Sequence, residues 1–285
     1  MTKIILNAPA KINLYLHITG KKPNGYHLLD SLVVFSDIGD VITIKASSQF
    51  SLTCDGPFAQ YLPKNSDDNL IYKTVKVMAD HLNQPPNVTI NLTKNLPIAA
   101  GIGGGSSDAA AVLKGLAEIW DISDTEMLNN IGLHLGADIP ACLFKQPCFM
   151  RGIGDEITPA DNIPSMPLIL INPNIPLSTP DVFQNRSAPL TNPVTFDSAH
   201  FIDALSKTTN DLQHSACQLV PETQHVLNSL KKQKGCILSR MSGSGATCFA
   251  LFDTSKDAKD AALELKSQHP SWWVEFGKTY SSPPA

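Results

Sequence analysis

The sequence has no apolar run long enough to cross a bilayer. Its uninterrupted stretches resemble Leu168-Ile169-Leu170-Ile171, against about 18 residues for a helical span. A soluble protein with no membrane partner is the expectation. No leader is expected either: Ile4-Ile5-Leu6 stops at Asn7 and Lys11 soon follows, with no Arg/Ser-rich transit segment. The default location is therefore cytoplasmic. Charge of one sign is scarce. Lys and Arg total 22 against 26 Asp and Glu, for a net charge of -4 without a like-charge block, which argues against phosphate-backbone binding as the main activity. One local basic pocket remains compatible with that balance. The six cysteines (54, 142, 148, 217, 236 and 248) show no CxxC or Cys/His metal spacing, so they are expected to be reduced, buried thiols. No dedicated acidic metal cage is visible. Three catalytic signatures are also absent. Gly101-x-Gly103 meets Ser106 where a dinucleotide fold needs glycine, Gly277-Lys278-Thr279 has Trp272 where a P-loop needs its first glycine, and no GxSxG exists.

What is present is ordinary globular composition, 42% hydrophobic and 17% charged over 285 residues, enough for about two domains of roughly 150 residues. Alternation predicts a strand at 11–17, with Ile12, Leu14 and Leu16 on one face and Lys11, Asn13, Tyr15 and His17 on the other. Further strands are expected at 32–35, 41–45 and 88–92, and a helix through Ile71, Val75, Met78 and Leu82 that stops at Pro85-Pro86. The loop 101–108 precedes a helix from Ala109 to Trp120, and Ser123 with Glu126 predicts a capped helix ending near Gly136. A break is expected between Gly152 and Pro167, dividing the chain into domains at 1–155 and 156–285. The second has a strand at 168–171, helical structure from His200, and a helix from Pro221 to Lys234 with Gly235 as its C-cap. Strands at 236–241 and 247–252, a helix at 256–266 and a strand at 272–276 follow. This is the strand, helix, strand, strand, helix, strand order of a ferredoxin-like sandwich. The proline-rich segment 173–192 reads as a long loop able to cover a site.

The glycine loop is the strongest chemical feature. Gly103-Gly104-Gly105 lets backbone N–H groups approach an anion, Ser106 and Ser107 add hydroxyls, and a helix N-terminus follows. A capped flexible turn is the plainer reading, but the combination favours nucleotide phosphates. Ser242-Gly243-Ser244-Gly245 is compatible with an ordinary hairpin. Lys11 and Asn13 share one strand face, about 7 Å apart, within reach of one substrate hydroxyl and one phosphate. Alone, Lys11 reads as a snorkelling edge residue, Asp138 as a turn or cap aspartate and His27 as a packed surface histidine.

Together, Pro9-Ala10-Lys11-Ile12-Asn13, Pro97 with Gly101–Ala110, Gly136-Ala137-Asp138-Ile139-Pro140 and Met241–Ala246 resemble the GHMP kinases, which include galactokinase, homoserine kinase and mevalonate kinase. The resemblance implies an α+β, two-domain GHMP kinase fold, with a ribosomal protein S5 domain 2-like N-terminal domain and a ferredoxin-like C-terminal domain. ATP is implied in the cleft between them, with its triphosphate on Gly101, Gly103, Gly104, Gly105, Ser106 and Ser107. Pro97 belongs to the same motif, Asn69, Leu70 and Lys94 lie near the nucleoside, and Mg2+ bridges the phosphates. By the same resemblance Asp138 is the catalytic base, touching the substrate hydroxyl, with Lys11 as its partner and Asn13 orienting the substrate. The spacing Gly20-(four residues)-Gly25-Tyr26-His27 is similar to the branch acting on a cytidine diphosphate-linked polyol. Tyr26 and His27 are then implied to receive the base, with Phe183 on its other side and Thr179 nearby. Departures are small: Ile102 stands where the family often has Leu, and Asp108 where Asn is also seen. The alternative within the family is a homoserine- or mevalonate-type kinase. Outside it stand an S5-like RNA-binding module, opposed by the acidic balance, and a nucleotide sensor, which would not require both Lys11 and Asp138. Oligomeric state is left open.

Overall fold

The computed structural model describes residues 3–63, 65 and 68–283. The chain forms two compact units that interleave along the sequence. The first comprises Met1–Ala10, Gly39–Ile98 and Gly103–Phe144; the second comprises Lys11–Ile38, Ala99–Ile102 and Lys145–Ala285.

Two long strands, β1 (Lys3–Lys21) and β2 (His27–Ala46), run through both units. The strand runs expected separately at 32–35 and 41–45 are thus one element. Gly39, which looked like punctuation, stays extended because a Cβ there would stand 2.4 Å from the Ala8 carbonyl oxygen; glycine here permits close approach of two backbones.

In the first unit the segment Val41–Ala46 of β2 pairs antiparallel with β4 (Val88–Thr93), which pairs parallel with β3 (Ser51–Asp55). β3 had no sequence signal. On β4, Val88, Ile90 and Leu92 are buried while Thr89, Asn91 and Thr93 are half-buried, as alternation requires. Helix α1 (Leu70–His81) buries Ile71, Val75 and Met78 as expected. Helix α2 (Gly104–Ile119) packs against α1 and against α4 (Ile139–Phe144), a short helix the sequence reading missed. α2 begins five residues earlier than Ala109, so Gly104–Asp108 form its first turn. The cap of α3 (Thr125–Leu135) is Asp124, whose side chain accepts from Met127 N, and not Ser123.

In the second unit β2 pairs through Leu29–Val33 with β5 (Cys148–Gly152), which forms an unpredicted hairpin with β6 (Glu156–Pro159). The rest follows the expected order: β7 (Pro167–Asn172), α8 (Glu222–Lys231), β8 (Cys236–Met241), β9 (Cys248–Phe252), α9 (Ser255–Gln268) and β10 (Trp273–Lys278). Their sheet runs β10-β7-β9-β8 with all neighbours antiparallel. Alternate residues Ile169, Ile171, Cys248, Ala250 and Phe252 share a core with Val226, Leu230, Ala258 and Leu265 of the two helices. Three helices are inserted before α8: α5 (Thr179–Gln184), α6 (Phe201–Ser206) and α7 (Gln213–Leu219). The segment 173–192 is therefore not all loop. Gly235 follows α8 in a left-handed conformation (φ 75°), while the C-cap itself is Lys232. Among the described residues no helix is long and apolar enough to cross a membrane.

Candidate active site

In the first unit the site is built around the start of α2. Gly103 occupies the N-cap with φ 62°, and no side chain caps the helix. Ser107 N already donates to Gly103 O, whereas the first-turn N–H groups before it have no intrahelical carbonyl by geometry. That leaves a row of donors at the positive end of a helix dipole. Ser107 points the other way, donating its hydroxyl to Pro9 O at 2.7 Å. Ser106 is half-buried and Gly105 exposed. Leu70 flanks this turn, 3.9 Å from where a Gly105 Cβ would lie, and Asn69 caps α1 through Ile71 N. Pro97 is buried.

Lys94 is 1% exposed. Its ammonium donates to Asp40 Oδ2 at 2.5 Å and to Asp108 Oδ2 at 2.6 Å, and lies 3.3 Å from the position of a Gly104 Cβ. Burial works against the charge, but Asp108 and Asp40 outweigh it and hold the ammonium above the usual lysine range. Asp40 also accepts from Asn95 N and Leu96 N. Sequence reasoning missed Asp40 because its Gly-Asp context reads as a turn. Asp138 is half-buried and immediately precedes α4, with its carbonyl accepting from Cys142 N.

In the second unit Lys11 and Asn13 are both buried on β1. Lys11 N donates to Ile102 O, and the Lys11 charge opposes the burial that pushes the Cys148 thiol up to about 12. Asn13 donates its amide to Ser31 Oγ at 2.8 Å, while its Oδ1 is buried without a hydrogen-bond partner: an acceptor ready for a ligand donor.

Ser242 links three pieces of chain. Its hydroxyl accepts from Asn13 N and donates to Gly101 O, and Thr247 N donates to Ala100 O. Gly101 has φ 73°, and a Cβ there would stand 2.5 Å from Ser242 O and 2.6 Å from Gly245 N. The 242–245 segment is therefore a brace for the glycine loop, not a plain hairpin. Asn210 pins it by donating to Met241 O and Gly243 O. Thr179, the first residue of α5, pairs its hydroxyl with Ser244 Oγ at 2.7 Å.

His27 and Phe183 meet directly, ring centroids 5.0 Å apart and 30° from parallel. That is one stacking distance, so no third ring fits between them and Phe183 must withdraw before a base can be sandwiched. Tyr26 is 62% exposed. Burial, then the charges of Lys21 and Arg186, lower the His27 pKa, so the ring is neutral at neutral pH. Among the described residues no cluster of three or more His, Cys, Asp or Glu could hold a metal.

Comparison with known proteins agrees with this geometry. The GHMP kinases N terminal domain matches residues 69–146 and the GHMP kinases C terminal domain matches 199–271. A 4-diphosphocytidyl-2-C-methyl-D-erythritol kinase of Paramagnetospirillum magneticum is 42% identical over 280 residues, covering 96% of this chain and 98% of that one. The enzyme of that name from Mesorhizobium japonicum is 45% identical over 287 residues, covering 97% and 96%. A crystal structure of 4-(cytidine 5'-diphospho)-2C-methyl-D-erythritol kinase superposes with a TM-score of 0.82 at 28% identity, covering 98% of this chain and all of the other. Homoserine kinase from Cytophaga hutchinsonii shares the fold, with a TM-score of 0.76 at 15% identity over 99% and 95% of the two chains. The chain belongs to the GHMP kinases, in the branch of the 4-diphosphocytidyl-2-C-methyl-D-erythritol kinases.

Proposed function

We propose that this chain transfers the γ-phosphoryl group of ATP to the 2-hydroxyl of 4-diphosphocytidyl-2-C-methyl-D-erythritol, giving the 2-phosphate and ADP in a non-mevalonate route to isoprenoid precursors. The observation that carries the reading is identity above 40% across almost the whole chain to enzymes of that name. The glycine cradle supports it, because uncapped N–H groups at the start of α2 suit a triphosphate. Mg2+ would be held chiefly by the nucleotide's own phosphates, where it would neutralise developing charge.

The residues of the chain have distinct tasks in this reading. Asp138 accepts the hydroxyl proton as the oxygen attacks the γ-phosphorus; an O–P bond forms and the bond to ADP breaks. Lys11 stabilises charge on the transferring group. Asn13 orients the substrate by accepting a hydrogen bond from a substrate hydroxyl at its unpartnered Oδ1. Tyr26, His27 and Phe183 receive the cytosine, with Thr179 beside them, once Phe183 has moved from His27. Gly101 and Gly103–Ser107 cradle the phosphates, and Asn69, Leu70, Lys94 and Pro97 support the nucleotide side. The setting is cytoplasmic, with small molecules as partners and no nucleic acid.

The test is turnover by the purified chain, followed as ADP release with the product identified by phosphorus NMR. Turnover of homoserine or mevalonate in place of the cytidine substrate would overturn the assignment.

A further inference from the structure

Resting on the ATP reading above, we propose that Asp108 is a positioning residue of the phosphate loop that works as a neutral carboxylic acid. Lys94 and Asp40 alone then form an ion pair beneath Gly104, with no surplus buried anion under an arriving triphosphate.

The geometry sets the problem and its solution. Two carboxylates share one ammonium, Asp40 Oδ2 at 2.5 Å and Asp108 Oδ2 at 2.6 Å from Lys94 Nζ. All three residues are at most 3% exposed. With both acids ionised the triad carries a net negative charge at a site where water cannot screen it, a costly state. It would also repel phosphate arriving at the start of α2, because Lys94 Nζ lies only 3.3 Å from the position of a Gly104 Cβ. One proton, taken from solvent, makes the triad neutral.

The hydrogen bonds decide which acid takes it. Asp40 accepts three, from Asn95 N at 2.6 Å, Leu96 N at 2.8 Å and Lys94, so both its oxygens are already engaged by N–H donors. Asp108 accepts only from Lys94 among the described bonds, and its Oδ1 is buried with no partner. Burial pushes the Asp108 carboxyl well above the usual range, opposed by Lys94 and reinforced by Asp40. Cys54 on β3 has its thiol pushed up by burial, then by Asp108 and Asp55, and so stays uncharged. Bound phosphate adds negative charge above Gly104 and holds the proton on Asp108 more firmly.

Two measurements on the full chain test this. In infrared difference spectra with carboxyl-13C aspartate, the wild type at neutral pH should show a protonated-carboxyl band that Asp108→Asn lacks. Calorimetric ADP binding from about pH 6 to about pH 10 should weaken by about tenfold per pH unit once that proton is lost from the free enzyme, and Asp108→Asn should show no such decline. Asp40→Asn should weaken ADP binding more than Asp108→Asn does. With its oxygen kept by the backbone donors, Asn at 40 turns an amide N–H toward the ammonium, whereas at 108 its oxygen can still accept from Lys94. Absence of a protonated aspartate in the wild type overturns the proposal even if the variants fail to fold. So does a band that survives Asp108→Asn. Failure of ADP to bind the wild type would sink the ATP reading and leave the infrared result standing.

Discussion

In the proposed reading, Asp138 and Lys11 are set apart from their neighbours by task. Asp138→Asn removes the proton acceptor while keeping its shape, so kcat should fall by about 10² or more with ADP affinity nearly unchanged; stopped assays and calorimetry together check this, and wild-type turnover would remove Asp138 from the mechanism. In the same reading, Phe183→Ala deletes one wall of the base site together with its contact to His27. It should raise KM for the cytidine substrate by about tenfold, leaving KM for ATP unchanged. A equal rise for both substrates would place Phe183 elsewhere. Period-two alternation made the shared strand face of Lys11 and Asn13 legible in the sequence, while their roles came only from the resemblance, since alone Lys11 reads as a snorkelling edge residue. Asp40 was not legible: an aspartate after glycine carries the same local signal at a turn and inside a strand, and only the fold brings Lys94 to it.

At the scale of elements, the brace behind the glycine loop and the anchoring of β8 are the places where a single change should propagate. Gly101→Ala would drive a methyl group into the backbone of the 242–245 segment at a positive φ. The resulting displacement of the loop should weaken ADP binding by at least about tenfold, measured by calorimetry on folded protein. Arg240 of β8 is buried and donates to the carbonyls of Leu14, Leu205 and Thr208 and to the Thr208 hydroxyl. Burial brings its pKa down to about 10, still protonated at neutral pH. Arg240→Met strands those acceptors and should cost about 3–5 kcal/mol in urea unfolding. Elements such as β7, α8 and α9 were visible beforehand because hydrophobic period and caps are local. The early start of α2 was not, since glycine and serine are poor helix formers and this first turn is held by packing, with Ser107 on Pro9 and Gly105 beside Leu70.

For the whole molecule, the net charge of -4 leads to the expectation that RNA is not retained at physiological salt, which a salt-stepped gel shift checks. Stability should also carry a signature of Asp108. The folded state keeps a proton that the unfolded chain releases near the ordinary aspartate pKa of about 4, so stability falls as pH rises from there to the folded-state pKa. Asp108→Asn should flatten that slope in thermal scans. The ferredoxin-like order of the second half was legible because six elements in sequence admit few topologies. The interleaving of the two compact units, with Ala99–Ile102 assigned apart from Gly103–Phe144, leaves no trace in composition, since it is a property of long-range contacts.

The stack of Phe183 on His27 means that, in the proposed reading, a side chain of the enzyme partly occupies the base site. Each arriving substrate competes with a side chain that never diffuses away. An aromatic pair of about 0.5–1.5 kcal/mol then opposes every association. The phosphorylated product keeps the same base, so the ring competes with it too: a weaker grip on substrate is matched by a weaker grip on product.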